Sequence, residues 1–165
     1  MRRDWRERLQ AVTKGARVLS GVLALLAAAL VSAAVGSAEA AEIIIDNGQA
    51  GTSSTGTWCV SGATGFYGTN SLYSCGSGAD TYRWTPTIPA TGQYKVYVWW
   101  TSHPNRSTSV PYTLVHAGGT FNTTKNQQTG GGQWQLLGTF TFDAGTAGYL
   151  RVSDANGQAA ADATR

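Results

Sequence analysis

Gln93-Tyr94-Lys95-Val96-Tyr97-Val98-Trp99-Trp100 is the stretch that decides the fold. Tyr94, Val96, Val98 and Trp100 fall on one side of an alternation, and Lys95, Tyr97 and Trp99 fall on the other. A period of two marks a strand with one face packed and one face wet, because successive side chains in a strand point to opposite faces. The same beat runs through Gln133 to Phe142, where Trp134, Leu136, Phe140 and Phe142 oppose Gln133, Gln135, Thr139 and Thr141. Tyr82 and Trp84 alternate with Thr81 and Arg83, and Leu150 and Val152 with Tyr149 and Arg151. Glu42 to Asp46 reads as an opening strand, and Tyr112 to His116, Phe121 to Asn126 and Ala159 to Thr164 are weaker ones. Asn47-Gly48, Ser61-Gly62, Pro89 to Gly92, Gly118-Gly119, Gly130 to Gly132 and Asn156-Gly157 punctuate these runs as turns. Ala50 to Gly56 looks the most flexible. Seven to nine short strands broken by turns predict an all-β fold, an antiparallel β-sandwich of jelly-roll-like type.

Charge divides the chain. Arg2, Arg3, Arg6, Arg8, Lys14 and Arg17 outnumber Asp4, Glu7 and Glu39 before residue 41, and beyond it six cations balance six acids. The net charge of +3 therefore belongs to the leader. A neutral body lacks the basic footprint that nucleic acid requires, so nucleic acid is excluded as a partner. After the basic leader, Val18 to Val35 is almost entirely apolar, and Ala38-Glu39-Ala40 is a small-x-small site. These are the three parts of a secretory signal peptide, a helical segment over residues 1–40. The alternative is an uncleaved membrane anchor. Cleavage leaves residues 41–165 as one secreted or cell-surface domain with no stable membrane insertion.

Cys59 and Cys75 are an even pair in an exported domain, which predicts a disulfide. Two thiols without a matching histidine cluster make a poor zinc site. The scattered acids form no recognisable calcium loop, so no metal or cofactor is expected, although jelly-roll modules often hold a structural calcium. No two carboxylates are paired as a glycosidase needs, and no Gly-x-Ser-x-Gly elbow is present. What stands out instead is aromatics set among amides. Sugars offer apolar C–H faces and a fringe of hydroxyls, which flat rings and planar amides, Arg or His match. Trp99, His103, Asn105, Arg106 and Tyr112 are the candidate ligand contacts, with Gln127 and Gln128 behind them. Each has a plainer reading: Asn105 closing a turn, Arg106 bracing its loop against carbonyls, the glutamines ending a hairpin. Trp84, Trp100 and Trp134 share faces with apolar residues and read as core.

Several of these segments resemble one known family. Ile44-Ile45-Asp46-Asn47-Gly48, Gly56-Thr57-Trp58, Tyr94 to Trp100, His103-Pro104-Asn105-Arg106, Asn126-Gln127-Gln128, Gly132 to Phe140 and Ala161-Asp162-Ala163 occur in the order and spacing of the golvesin C-terminal domain, also called the xanthan-lyase carbohydrate-binding-like domain. The resemblance spans residues 42–165. It implies a β-sandwich accessory module of secreted bacterial proteins that attaches to polysaccharide or the cell surface, with no catalytic residues to carry over. The family domain usually runs on into an apolar strand end, whereas here Thr164-Arg165 follow, so a short or altered closing strand is expected. The module is also expected to stand alone behind its signal peptide, with no enzyme attached. The expected function is a non-catalytic module binding polysaccharide or a cell-wall polymer. Two other classes stay open: an adhesive surface protein that contacts other proteins, and a small polysaccharide lyase or cell-wall amidase.

Overall fold

The computed structural model describes residues 42–76 and 78–165. The signal peptide expected over residues 1–40 lies outside the described residues. Among the described residues, eleven strands follow in chain order: β1 (Thr52–Thr55), β2 (Trp58–Val60), β3 (Leu72–Ser74), β4 (Thr81–Trp84), β5 (Gly92–Trp99), β6 (Val110–His116), β7 (Gly119–Lys125), β8 (Gln135–Phe142), β9 (Tyr149–Ser153), β10 (Ala160–Ala161) and β11 (Ala163–Thr164). They form a five-stranded sheet, β1-β4-β9-β6-β7, and two three-stranded sheets, β10-β3-β2 and β11-β5-β8. Every strand pairing is antiparallel.

Register builds the core. Tyr82, Val152 and Tyr112 lie side by side across β4, β9 and β6, and Trp84, Leu150 and Leu114 form the next inward row. All six are buried. They meet Val96, Val98, Trp100 and Phe142 from the opposing layer in a single apolar cluster, which makes the fold a β-sandwich. Burying a side chain of this size stabilises the fold by about 1.5–3 kcal/mol, so these rows carry most of the driving force. The row between them, Arg83 and Arg151, faces outward, as the pleat requires.

The closing strand is short but fully paired. Ala163 and Thr164 lie opposite Trp99 and Val98. Thr164 exchanges two 3.0 Å backbone hydrogen bonds with Ile45, and Arg165 exchanges two with Tyr97 at 2.7 and 3.0 Å. The opening strand expected over Glu42 to Asp46 reduces to that single bridge at Ile45. Ala50 to Gly56, expected to be flexible, contains β1, which pairs along its whole length with β4. β2 and β3 carry too little alternation to be foreseen. The predicted disulfide joins Cys59 in β2 to Cys75 just after β3, with the Cα atoms 5.9 Å apart.

One expected face is broken. Between Val96 and Tyr97 the register with β8 shifts, so that Gly138 and Leu136 face consecutive residues of β5 and Leu137 is the extra residue. A bulge reverses which side chains point inward beyond it. Leu137 therefore packs against the core, and Leu136 is 49% exposed. Trp134, read as core, lies on the same outward side of this irregularity, half-buried.

Candidate functional site

β5 carries Val98 inward, and Trp100 turns inward just past its end, which leaves Trp99 on the outer face. There Trp99 meets Trp134 and Tyr67, with ring centroids 5.3 and 5.7 Å away, and Tyr67 and Trp134 are 5.2 Å apart. The rings meet edge-on or tilted, the arrangements that the aromatic quadrupole favours. All three are half-buried. The Arg165 guanidinium lies 5.0 Å from the Trp134 ring and 4.4 Å from that of Tyr97. The Trp99 indole donates to the Gly65 carbonyl at 2.8 Å, tying the Ser61–Asn70 loop to the sheet. Tyr67 is held from below, where its backbone N–H donates to the Asp162 carboxylate at 3.2 and 3.3 Å. Burial pushes the Asp162 carboxyl up to about 7; the Tyr67 hydrogen bond opposes that rise and the nearby Asp46 charge adds to it. Asp46 is itself raised by burial. Gly68 passes so close that a Cβ there would sit 2.1 Å from an Asp46 oxygen.

The segment after β5 forms a second feature. His103, Asn105 and Arg106 line one cleft of about 370 Å³ together with Ser61, Tyr73 and Gln158. Arg106 is only 5% exposed. Its guanidinium donates through Nη2 to Ser61 Oγ at 3.1 Å and through Nη1 to Gln158 Oε1, and it lies 4.7 Å over the Tyr73 ring. Its Nε–H has no acceptor among the described residues. Burial lowers the Arg106 pKa, with Tyr73 acting against that trend. His103 Nδ1 accepts from the Asn105 N–H at 3.2 Å, so the neutral ring carries its proton on Nε2. A turn closes where the Arg106 N–H donates to the His103 carbonyl at 2.9 Å.

The other candidates sort by burial. Gln128 is exposed, and its amide donates to the carbonyls of Pro104 and Arg106 at 3.0 and 2.8 Å, bracing the His103–Arg106 loop from outside. Tyr112 and Gln127 are corrections to the sequence reading, because both are buried in the interior. Gln127 Nε2 donates to the Tyr112 hydroxyl at 2.8 Å and to the Ala160 carbonyl at 3.0 Å, and Oε1 accepts from the Ala160 N–H at 2.6 Å. The Gln127 amide thus stands in for a strand peptide beside β10. Burial drives the Tyr112 phenol far above its ordinary range. Neither side chain reaches the surface. The structure brings Tyr67, Trp134, Tyr73, Ser61 and Gln158 to these two places. None carries a local signal, because each arrives through tertiary pairing.

The golvesin C-terminal domain model matches residues 43–165, the whole sandwich. The chain belongs to the golvesin C-terminal domain family. This golvesin C-terminal domain is 39% identical over 121 residues to xanthan lyase of Bacillus sp. strain GL1, covering 71% of this chain and 13% of that protein. The solved xanthan lyase of Paenibacillus superposes with a TM-score of 0.69 at 41% identity, over 73% of this chain and 12% of that one. The chain therefore spans about an eighth of the relatives it matches. A family 35 carbohydrate-binding module from an environmental isolate shares the fold, with a TM-score of 0.56 at 16% identity over 75% of this chain and 91% of that one.

Proposed function

We propose that residues 41–165 form a secreted, non-catalytic module that holds a polysaccharide or cell-envelope polymer by ring stacking on the Tyr67–Trp99–Trp134 surface. The observation that carries this reading is the packing of three half-buried rings on the outer face of β5. Such rings present apolar area at little entropic cost, as hot-spot residues do at interfaces. Family membership and the shared fold of a carbohydrate-binding module support the reading. Export rests on the 1–40 leader, and bacterial polysaccharide outside the cell is the natural target. Trp99, His103, Asn105 and Arg106 remain contact candidates, with Gln128 placing their loop.

Retention of residues 41–165 on a panel of insoluble polysaccharides and on xanthan tests the proposal. Trp134→Ala should reduce retention at least about tenfold, the loss of one well-packed anchor. Its melting temperature should fall only slightly, because Trp134 is half-buried. Clear turnover of xanthan by the isolated module, or equal retention by wild type and Trp134→Ala, would overturn the proposal.

A further inference from the structure

We infer that the Arg106 cleft takes the carboxylate of an acidic sugar residue, so that the polymer bound is anionic; this deepens the polysaccharide reading and rests on it. A guanidinium stays protonated at any physiological pH. Buried charges are ordinarily paired with an opposite charge, because desolvation is costly. Arg106 breaks that rule. It is 5% exposed, yet among the described residues it forms no ion pair, and its side-chain partners, Ser61, Gln158 and Tyr73, are all neutral. One of its N–H groups, the buried Nε–H, has no acceptor among the described residues.

The surroundings supply donors and no acid. Ser61, Gly62, Ala63, Tyr73, His103, Asn105 and Gln158 complete the lining, and none is a carboxylate. With Nδ1 already accepting from Asn105, His103, which lines the cleft, keeps an N–H donor on Nε2 in its neutral form. A neutral sugar hydroxyl leaves the Arg106 charge uncompensated. A carboxylate compensates it and accepts several charge-assisted hydrogen bonds in a planar arrangement that a guanidinium matches. The volume of about 370 Å³ lies near the lower end of small-ligand sites, which suits a short stretch of glycan. The loop is also set in advance. Gln128 clamps two of its carbonyls, and the Ser107 N–H and carbonyl bond to the Gln158 carbonyl and the Gln127 N–H at 2.8 and 3.1 Å.

The test follows the Arg106 Nε–H resonance of wild-type residues 41–165 by proton–nitrogen NMR while methyl glucuronoside, methyl glucoside or acetate is added. The two glycosides differ only in a carboxylate against a hydroxymethyl group. We expect the glucuronoside to move the resonance and to bind at least about tenfold more tightly than the glucoside, the scale of hydrogen bonds to a charged group. Acetate should act far more weakly than the glucuronoside. Arg106→Gln should abolish the difference between the glycosides, and a melting curve will establish that this variant is folded. Equal responses to the two glycosides, no response to either, or acetate matching the glucuronoside would each overturn the inference. Retention on neutral polysaccharide that still depends on Trp134 would then leave the wider reading intact. Conversely, glucuronoside binding with no retention on any polymer would sink the wider reading and spare the cleft.

Discussion

Gln127→Leu separates a binding glutamine from a structural one. Leucine fills nearly the same volume, so the variant isolates the amide. Its loss strands the Tyr112 hydroxyl, the Ala160 N–H and the Ala160 carbonyl, whose side-chain partners are the two polar atoms of Gln127. A buried polar group left unpaired costs about 1–3 kcal/mol. Three of them, at the lower half of that range, give an expected loss of about 3–5 kcal/mol, a large share of the ~5–15 kcal/mol of a typical domain. For a domain of this size that is a fall of about 12–20 °C in melting temperature. Thermal melts and urea titrations of residues 41–165 will read it, and the folded fraction should still be retained on polysaccharide. A fall under about 5 °C would refute the reasoning. Lost retention at an unchanged melting temperature would return Gln127 to the list of ligand contacts.

Two further outcomes concern the Asp162 carboxyl and the disulfide. Asp162 is raised from 3.8 to about 7 in the fold, so between these values the folded state holds a proton that the unfolded chain releases. Stability therefore falls as pH rises from about 4 to 7, by up to about 4 kcal/mol; melting temperatures between pH 4 and 8 should show this slope, Asp162→Asn should flatten it, and a flat wild-type profile would contradict it. Reducing the Cys59–Cys75 bond, which spans a sequence separation of 16, removes a constraint of about 3 kcal/mol. Melting with and without reductant should differ by roughly 10 °C.

How much of this was legible from sequence depended on how locally each feature is determined. β5 was legible because its inward residues alternate without interruption along Val96 and Val98, a beat that Trp100 carries on just past the strand. β8 was only half legible. Its residues alternate in sequence, but the bulge at Leu137 belongs to the pairing with β5, and no single strand records the register of its partner. β1 to β3 were illegible because they hold little apolar alternation; β1 is held along β4, and β2 and β3 are held by each other and the disulfide. In the site, His103, Asn105 and Arg106 share a cleft because they belong to one four-residue turn, which a sequence displays directly. Tyr73 and Gln158 reach the same cleft through β3 and through the approach to β10. Tyr112 and Gln127 were misplaced for a different reason. An amide and a phenol suit either a sugar or each other, and only burial distinguishes the two uses.

The two surface features are joined by a single irregular segment, which makes their geometry depend on buried contacts that touch no ligand. Ser61, Gly62 and Ala63 line the Arg106 cleft, while Gly65 and Tyr67, in the same loop, complete the aromatic surface. The loop is not strand, so its position is set where it is tied. The Ser61 N–H donates to the Ser71 carbonyl at 2.8 Å, and Ser71 Oγ lies 2.9 Å from Thr101 Oγ1, just beyond β5. In its middle, Asp162 grips Tyr67 and the Trp99 indole grips Gly65. Tyr67 thus owes its placement to the Asp162 carboxyl, between β10 and β11, and the cleft owes one wall to Tyr73 of β3. A loop fastened at its ends and its centre has little freedom left to lose when a ligand arrives, and lower ordering cost is what rigid preformed sites contribute to affinity.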